Sequence, residues 1–168
     1  MRPPVLLLSA CIVTSCATPD ELGPGKGPTI ALVNATGTAA GAVQAEPRAG
    51  GIYVRVAVQG LTPGEHGIHL HAVGRCDGPG FQSAGAHWNP AGKQHGHLNP
   101  LGAHTGDLPN IIVSANGRGA ANFLVRGELG DADGTSLVVH AGPDDYRTDP
   151  SGNSGDRIAC AVITPPRP

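Results

Sequence analysis

Aromatic residues are scarce: one Trp, two Tyr and two Phe make up 3% of 168 residues. That excludes a core of stacked rings and leaves small aliphatic side chains to fill the interior. Charge is sparse too, at 14% Lys, Arg, Asp and Glu with a formal net charge of −2. A polybasic nucleic-acid binder and an acidic disordered chain are both excluded. No apolar run approaches the roughly 20 residues that a membrane-crossing helix needs. Abundant instead are glycine (26) and proline (16), a quarter of the chain. Helix interiors tolerate neither, so an all-α fold is excluded. The chain also carries eight histidines.

The first twenty residues, MRPPVLLLSACIVTSCATPD, read as a bacterial export leader. Arg2 supplies the positive start and Val5 to Val13 the short apolar core. Leu8-Ser9-Ala10-Cys11 and Val13-Thr14-Ser15-Cys16 both have the form of a lipobox, whose cysteine becomes a lipidated N-terminus. Cutting before Cys11 leaves a very short apolar core, so Cys16 is preferred; an ordinary signal peptide is the competing expectation. The chain then divides into a signal peptide at 1–15, a flexible Gly/Pro-rich tether at 16–28 and one domain at 29–165. Thr18 and Ala17 follow Cys16 with no Asp beside it, which points to outer-membrane retention facing the periplasm. Cys76 and Cys160 remain, and export gives them an oxidising compartment in which one disulfide can form.

From Thr29 onward, short apolar runs alternate with Gly, Asn, Asp and Pro turns. Ile52, Val54, Val56 and Val58 alternate with Tyr53, Arg55, Ala57 and Gln59, the period of a strand with one buried face. Asn116-Gly117 is a hairpin signal. Eight strands are expected: Thr29–Asn34, Gly37–Glu46, Ile52–Gln59, Gly67–Ala72, Ile111–Ser114, Ala121–Arg126, Ser136–Ala141 and Ile158–Ile163. The fold class is therefore all-β, an antiparallel sandwich or barrel. Val73–Asn110 and Gly142–Arg157 break the spacing, and loops this long in a compact domain are usually functional or disordered.

In Glu65-His66-Gly67-Ile68-His69-Leu70-His71, alternation puts His69 and His71 on one strand face, with Ile68 and Leu70 in the core. His66 shares the parity of Ile68 and reads as a hydrogen-bonded structural histidine. His87, His95, His104 and Asp107 fall in the first long loop, and His140 ends a strand. Such a cluster is a candidate metal site, while His97 reads as a solvated surface residue. Imidazoles suit copper, zinc, iron or nickel, and the Asp favours zinc.

With GEHGIHLH (64–71), SAGAHWNP (83–90), HTGDLPN (104–110), LVVHAGPDD (137–145) and GNSGDRIACAVI (152–163) in order, the chain resembles the copper–zinc superoxide dismutase family over Thr29 to Pro165. The resemblance implies an eight-stranded antiparallel Greek-key β-barrel with two long functional loops, with one copper and one zinc per subunit. It implies His69, His71, His87 and His140 around copper, and His87, His95, His104 and Asp107 around zinc, His87 bridging as an imidazolate. Asp144 matches a carboxylate linking His69 to His95, Arg157 an arginine beside the copper, and Cys76–Cys160 the family disulfide. The implied substrate is superoxide, converted to oxygen and hydrogen peroxide. The resemblance further implies that copper would exchange single electrons, that zinc would be structural, and that His87 would give up copper on reduction and take up a proton there. Such an activity would protect the cell envelope. Cys76 follows His71 by only five residues, as in bacterial members, so no subunit contact of animal members carries over, and a homodimer is allowed but unspecified. Two competing readings keep the fold: a non-enzymatic copper-binding lipoprotein and a structural zinc module.

Overall fold

The computed structural model describes residue 22 and residues 27–129 and 131–168. Cys11, Cys16 and the expected leader lie outside the described residues. Among the described residues there are nine strands: β1 Thr29–Asn34, β2 Ala39–Arg48, β3 Gly51–Gln59, β4 Gly64–His66, β5 Ile68–His71, β6 Ile111–Val113, β7 Arg118–Val125, β8 Thr135–His140 and β9 Arg157–Thr164. The helical content is short 3-10 structure, notably the turn Gln82–Ala84 beside the histidines. Seven strands form one antiparallel sheet in the order β5-β8-β9-β1-β2-β3-β7, and β4 pairs with β6 in a small second sheet.

The expected count of eight becomes nine because the fourth strand is longer than expected and broken at Gly67. Before the break, His66 pairs with Ile111; after it, Ile68 pairs with Val139. Gly67 itself is claimed by two other segments: its N–H donates to Gly142 O at 2.8 Å, and its carbonyl accepts from His140 N at 2.8 Å. One bent strand thus leaves the large sheet and enters the small one. The β6–β7 hairpin, turned at Asn116-Gly117, connects the small sheet to the other edge strand, so the large sheet and the small one together make a curled, barrel-like wall.

Period-2 alternation fills the interior. Val54, Val56, Leu32, Val43, Ile68 and Leu137 are fully buried within one core cluster. Each such side chain contributes about 1.5–3 kcal/mol, which is how so few aromatics suffice. Phe123 and Trp88 are the two aromatics in this cluster. Within the stretch read from sequence as a tether, Leu22 is buried against Ala42 and Ala57 on the outer face of β2 and β3.

Candidate metal centre

Because Ile68, Leu70, Leu137 and Val139 face the barrel interior, His69, His71 and His140 must face outward on adjacent strands. All three are nevertheless buried, at 0%, 0% and 3% exposure, under the two long loops. The first loop lays two short segments beside β5. Leu70 N–H donates to Gly106 O (2.9 Å), and Trp88 N–H donates to Leu70 O (2.8 Å). This backbone pairing sets His87 against His71 and Asp107 against His69.

Two clusters result. In the first, one ring nitrogen each of His69, His71, His87 and His140 lies within 4.8 Å of the others. The opposite nitrogens are committed: His69 Nε2–H donates to Asp144 Oδ2 (3.0 Å), His71 Nδ1–H to Gly85 O (2.9 Å) and His140 Nδ1–H to Gly155 O (3.0 Å). Each bond fixes a tautomer and leaves the other nitrogen as a bare lone pair. Those bare atoms, His69 Nδ1, His71 Nε2, His87 Nε2 and His140 Nε2, are buried and have no hydrogen-bond partner. Burial pushes His69 down to about 3 and His140 to about 4, and lowers His71 and His87 as well. The cluster is therefore neutral and electron-donating at physiological pH. Four converging lone pairs with nothing to accept from are costly unless a cation sits among them, so the residues fit a copper ion.

In the second cluster, Asp107 Oδ1 lies 2.9 Å from His87 Nδ1, 3.0 Å from His95 Nδ1 and 3.1 Å from His104 Nδ1, and His104 Nδ1 is 3.4 Å from His87 Nδ1. Tetrahedral zinc with ligand bonds near 2.0–2.1 Å separates its ligands by about 3.3 Å, so this quartet fits zinc. His69 lies within reach of this group too, but its bare Nδ1 belongs with the copper quartet. His87 is shared, with Nδ1 in one cluster and Nε2 in the other. Although burial opposes ionisation, hydrogen bonds from His87, His95 and the Gly96 N–H hold Asp107 well below the usual carboxylate range. His95 moves the other way: against the burial penalty, Asp107 and Asp144 raise it to about 9.

Asp144 spans the two clusters, accepting from His69 Nε2 and from His95 Nε2 at 3.0 Å each. Gly152 packs flat on this carboxylate at φ +63°, and a Cβ there would overlap Asp144 Oδ1. Arg157, half-buried at the start of β9, donates to Phe81 O and Gly85 O at 2.8 Å each. Its charge acts on His71 and His140. Cys76 and Cys160 form a disulfide, with Cα atoms 5.7 Å apart. His66 is buried inside the ligand layer, its Nδ1 2.7 Å from His140 O and its Nε2 2.9 Å from Thr62 O. His97 is exposed, and its Nε2–H donates to Asp107 O at 3.0 Å. The sequence reading missed Asp149, which accepts from the His95 backbone N–H at 2.6 Å. The Asp-rich second loop was the signal available for it.

Neutral imidazole quartet, carboxylate-bearing quartet and shared ring on the outer wall of a Greek-key barrel define a two-metal redox protein. The comparisons narrow this. The family description Copper/zinc superoxide dismutase (SODC) matches residues 36–163. Superoxide dismutase [Cu-Zn] of Caulobacter vibrioides is 46% identical over 138 residues, covering 76% of this chain and 79% of its own. Superoxide dismutase [Cu-Zn] 2 of Aquifex aeolicus is 42% identical over 142 residues, covering 79% and 83%. The crystal structure of a SOD-like protein from Bacillus subtilis superposes with a TM-score of 0.77 at 36% identity, covering 80% of this chain and 97% of that one. The chain belongs to the copper/zinc superoxide dismutase family. It is an oxidoreductase that dismutes superoxide with copper and zinc.

Proposed function

We propose that His69, His71, His87 and His140 hold copper, that His87, His95, His104 and Asp107 hold zinc, and that Arg157 receives the superoxide anion. The observation that carries this is the set of four buried, unpartnered imidazole nitrogens aimed at one another. Bound copper supplies a one-electron couple for both half-reactions, and bound zinc supplies charge without redox chemistry. The protein's own groups do the rest. His87 Nε2 is the bare nitrogen that can hold a proton for the departing peroxide. Asp107 keeps the opposite His87 nitrogen in place. Two of the five Arg157 donors are spent on Phe81 O and Gly85 O, leaving three for an anion. The net charge of −2 offers superoxide no overall attraction, so steering falls to this local cation.

The chain is read as an exported periplasmic protein, cut before Cys16 and held at the outer membrane by its lipid, where it protects the envelope. The VTSC lipobox and short apolar leader support this, and among the described residues no helix is long and apolar enough to cross a membrane. A superoxide assay on protein of measured copper and zinc content tests the enzymatic reading. Full metal loading without activity would favour the non-enzymatic copper-binding lipoprotein. Mass spectrometry of the mature N-terminus tests the anchor.

A further inference from the structure

The outer faces of a barrel are not equivalent once one of them carries the N-terminal segment. Counting β4 and β5 as the single bent strand they form, and taking β6 as joined to β7 through their hairpin, β2 stands four steps from β5 in either direction around the wall. His69 and His71 lie on the outer face of β5 and His140 on that of β8. On the far side, Ala42 of β2 and Ala57 of β3 are direct cross-strand partners on the outer face. Both are buried there, at 9% and 7% exposure, under Leu22. Two alanines side by side leave a shallow apolar seat, and one Leu side chain fills it.

A second contact follows the same course. Gly27 lies so close to β2 that a Cβ would stand 2.7 Å from Ala45 O and 3.0 Å from Glu46 Cγ. Only glycine permits that approach. It helps to explain why Glu46, on the outer face, is only 4% exposed and bonded to Arg48 Nη2 at 2.6 Å. The segment that leads back to the leader is thus pinned at both Leu22 and Gly27.

Cys16 lies six residues before Leu22, a reach of about 20 Å even when fully extended. From this we propose that the outer face of β2 and β3 is the membrane-facing side of the anchored protein, and that the histidine clusters face away from the bilayer. The inference rests on the proposed lipid anchor at Cys16. Between the two faces stand about 10 Å of barrel core and a layer of side chains on each side, so the loops around Arg157 open toward the aqueous compartment. The anchored enzyme would then draw superoxide from the periplasm and not from the membrane surface.

The test uses the mature lipidated protein, residues 16–168, in phosphatidylethanolamine/phosphatidylglycerol vesicles that carry a fluorescent acceptor on the lipid headgroup. With Cys16 lipidated and Cys76 and Cys160 bridged, an introduced cysteine is the only free thiol. Donor dyes go on Ala120→Cys, an exposed site directly opposite Ala57 on β7, or on Gln82→Cys, exposed near Arg157. Energy transfer should be at least threefold stronger from position 120 than from position 82. Leu22→Asp should leave the protein on the vesicles, bring the two signals together, and speed tryptic cleavage after Lys26 at least fivefold. Equal transfer from the two positions in the parent protein, or stronger transfer from 82, overturns the proposal. So does a Leu22→Asp variant with unchanged cleavage, a result that needs no lipid. Protein that does not float with the vesicles at all refutes the anchor instead, and the cleavage arm then still decides whether Leu22 is docked.

Discussion

Asp144 links His69 of the copper cluster to His95 of the zinc cluster, and its two oxygens are not equally loaded. Oδ1 accepts from His95 Nε2 (3.0 Å) and from the Tyr146 backbone N–H (2.7 Å), whereas Oδ2 accepts from His69 Nε2 alone (3.0 Å). Asp144→Asn preserves shape but turns one oxygen into a donor. The remaining oxygen should stay where two donors await it, which sets the new NH2 against His69 Nε2–H. A buried donor facing a donor costs about 1–3 kcal/mol, and loss of such a supporting bond typically costs 10–100-fold in metal affinity. The Asn variant should therefore lose copper affinity by about 10–100-fold while zinc binding changes far less. Asp144→Ala removes the acceptor from both rings and should weaken both metals. Competition titrations against a chelator, reading copper and zinc separately, measure each loss, and the dismutase rate should follow copper occupancy. An Asn variant that sheds zinc and keeps copper would refute the assignment of donors and acceptors around this carboxylate.

Reduction of Cys76–Cys160 opens a link across 84 residues, worth at most about 4–5 kcal/mol in the chain-entropy model; denaturant unfolding with and without reductant measures it, and no change in midpoint would deny the bond a stabilising role. Arg157→Ala should cut dismutase activity and flatten its dependence on ionic strength, and loss of its bonds to two carbonyls should lower stability by about 1–3 kcal/mol. Arg157→Lys should retain part of the salt dependence, because the charge survives while the fork that spans both carbonyls is lost. In the metal-free protein, His69 near 3 and His140 near 4 bind fewer protons folded than unfolded below about 6.5. Stability should therefore fall as pH drops from about 6.5 toward 4, whereas the raised His95 contributes stability that fades as pH rises from 6.5 through about 9. Urea midpoints across pH 4.5 to 9 should peak between the two windows, and a flat profile would show that these rings titrate normally.

The barrel was legible because its wall obeys a two-residue period. The alternation of Ile52, Val54, Val56 and Val58 survives intact in β3, and the same parity argument set His69 and His71 outward while Ile68 and Leu70 went into the core. The break at Gly67 was not legible, since apolar parity continues across it. What separates β4 from β5 is hydrogen bonding to Gly142 and His140, segments about 75 residues away. Loop residues posed a harder problem. His87 and Asp107 have no period, and pairing of their backbone with Leu70 places them. The resemblance named them, but local pattern could not have brought them to β5. Least legible were the groups that fix tautomers at His71 and His140. These are the carbonyls of Gly85 and Gly155, and a carbonyl leaves no mark on residue type.

Gly85 O also shows how the fold's covalent link reaches the chemistry. The carbonyl accepts from His71 Nδ1 and from Arg157 Nη2, so one atom orients a proposed copper ligand and the proposed anion receptor together. What holds that carbonyl still is the segment before it. Phe81, which precedes the 3-10 turn, and Ala84, its last residue, pack with Val138 of β8 and Cys160 of β9, with Cys76 against the same cluster. The disulfide closes this segment onto β9 three residues beyond Arg157. Breaking it frees the segment to shift, and a displacement of Gly85 O would loosen His71 and Arg157 in the same movement. Reduced protein at full copper and zinc loading should therefore lose activity out of proportion to any metal loss. Its salt dependence should weaken as in Arg157→Ala. If reduced, fully metallated protein keeps both its rate and its salt dependence, the loop's own packing is enough to hold Gly85 O, and the disulfide serves stability alone.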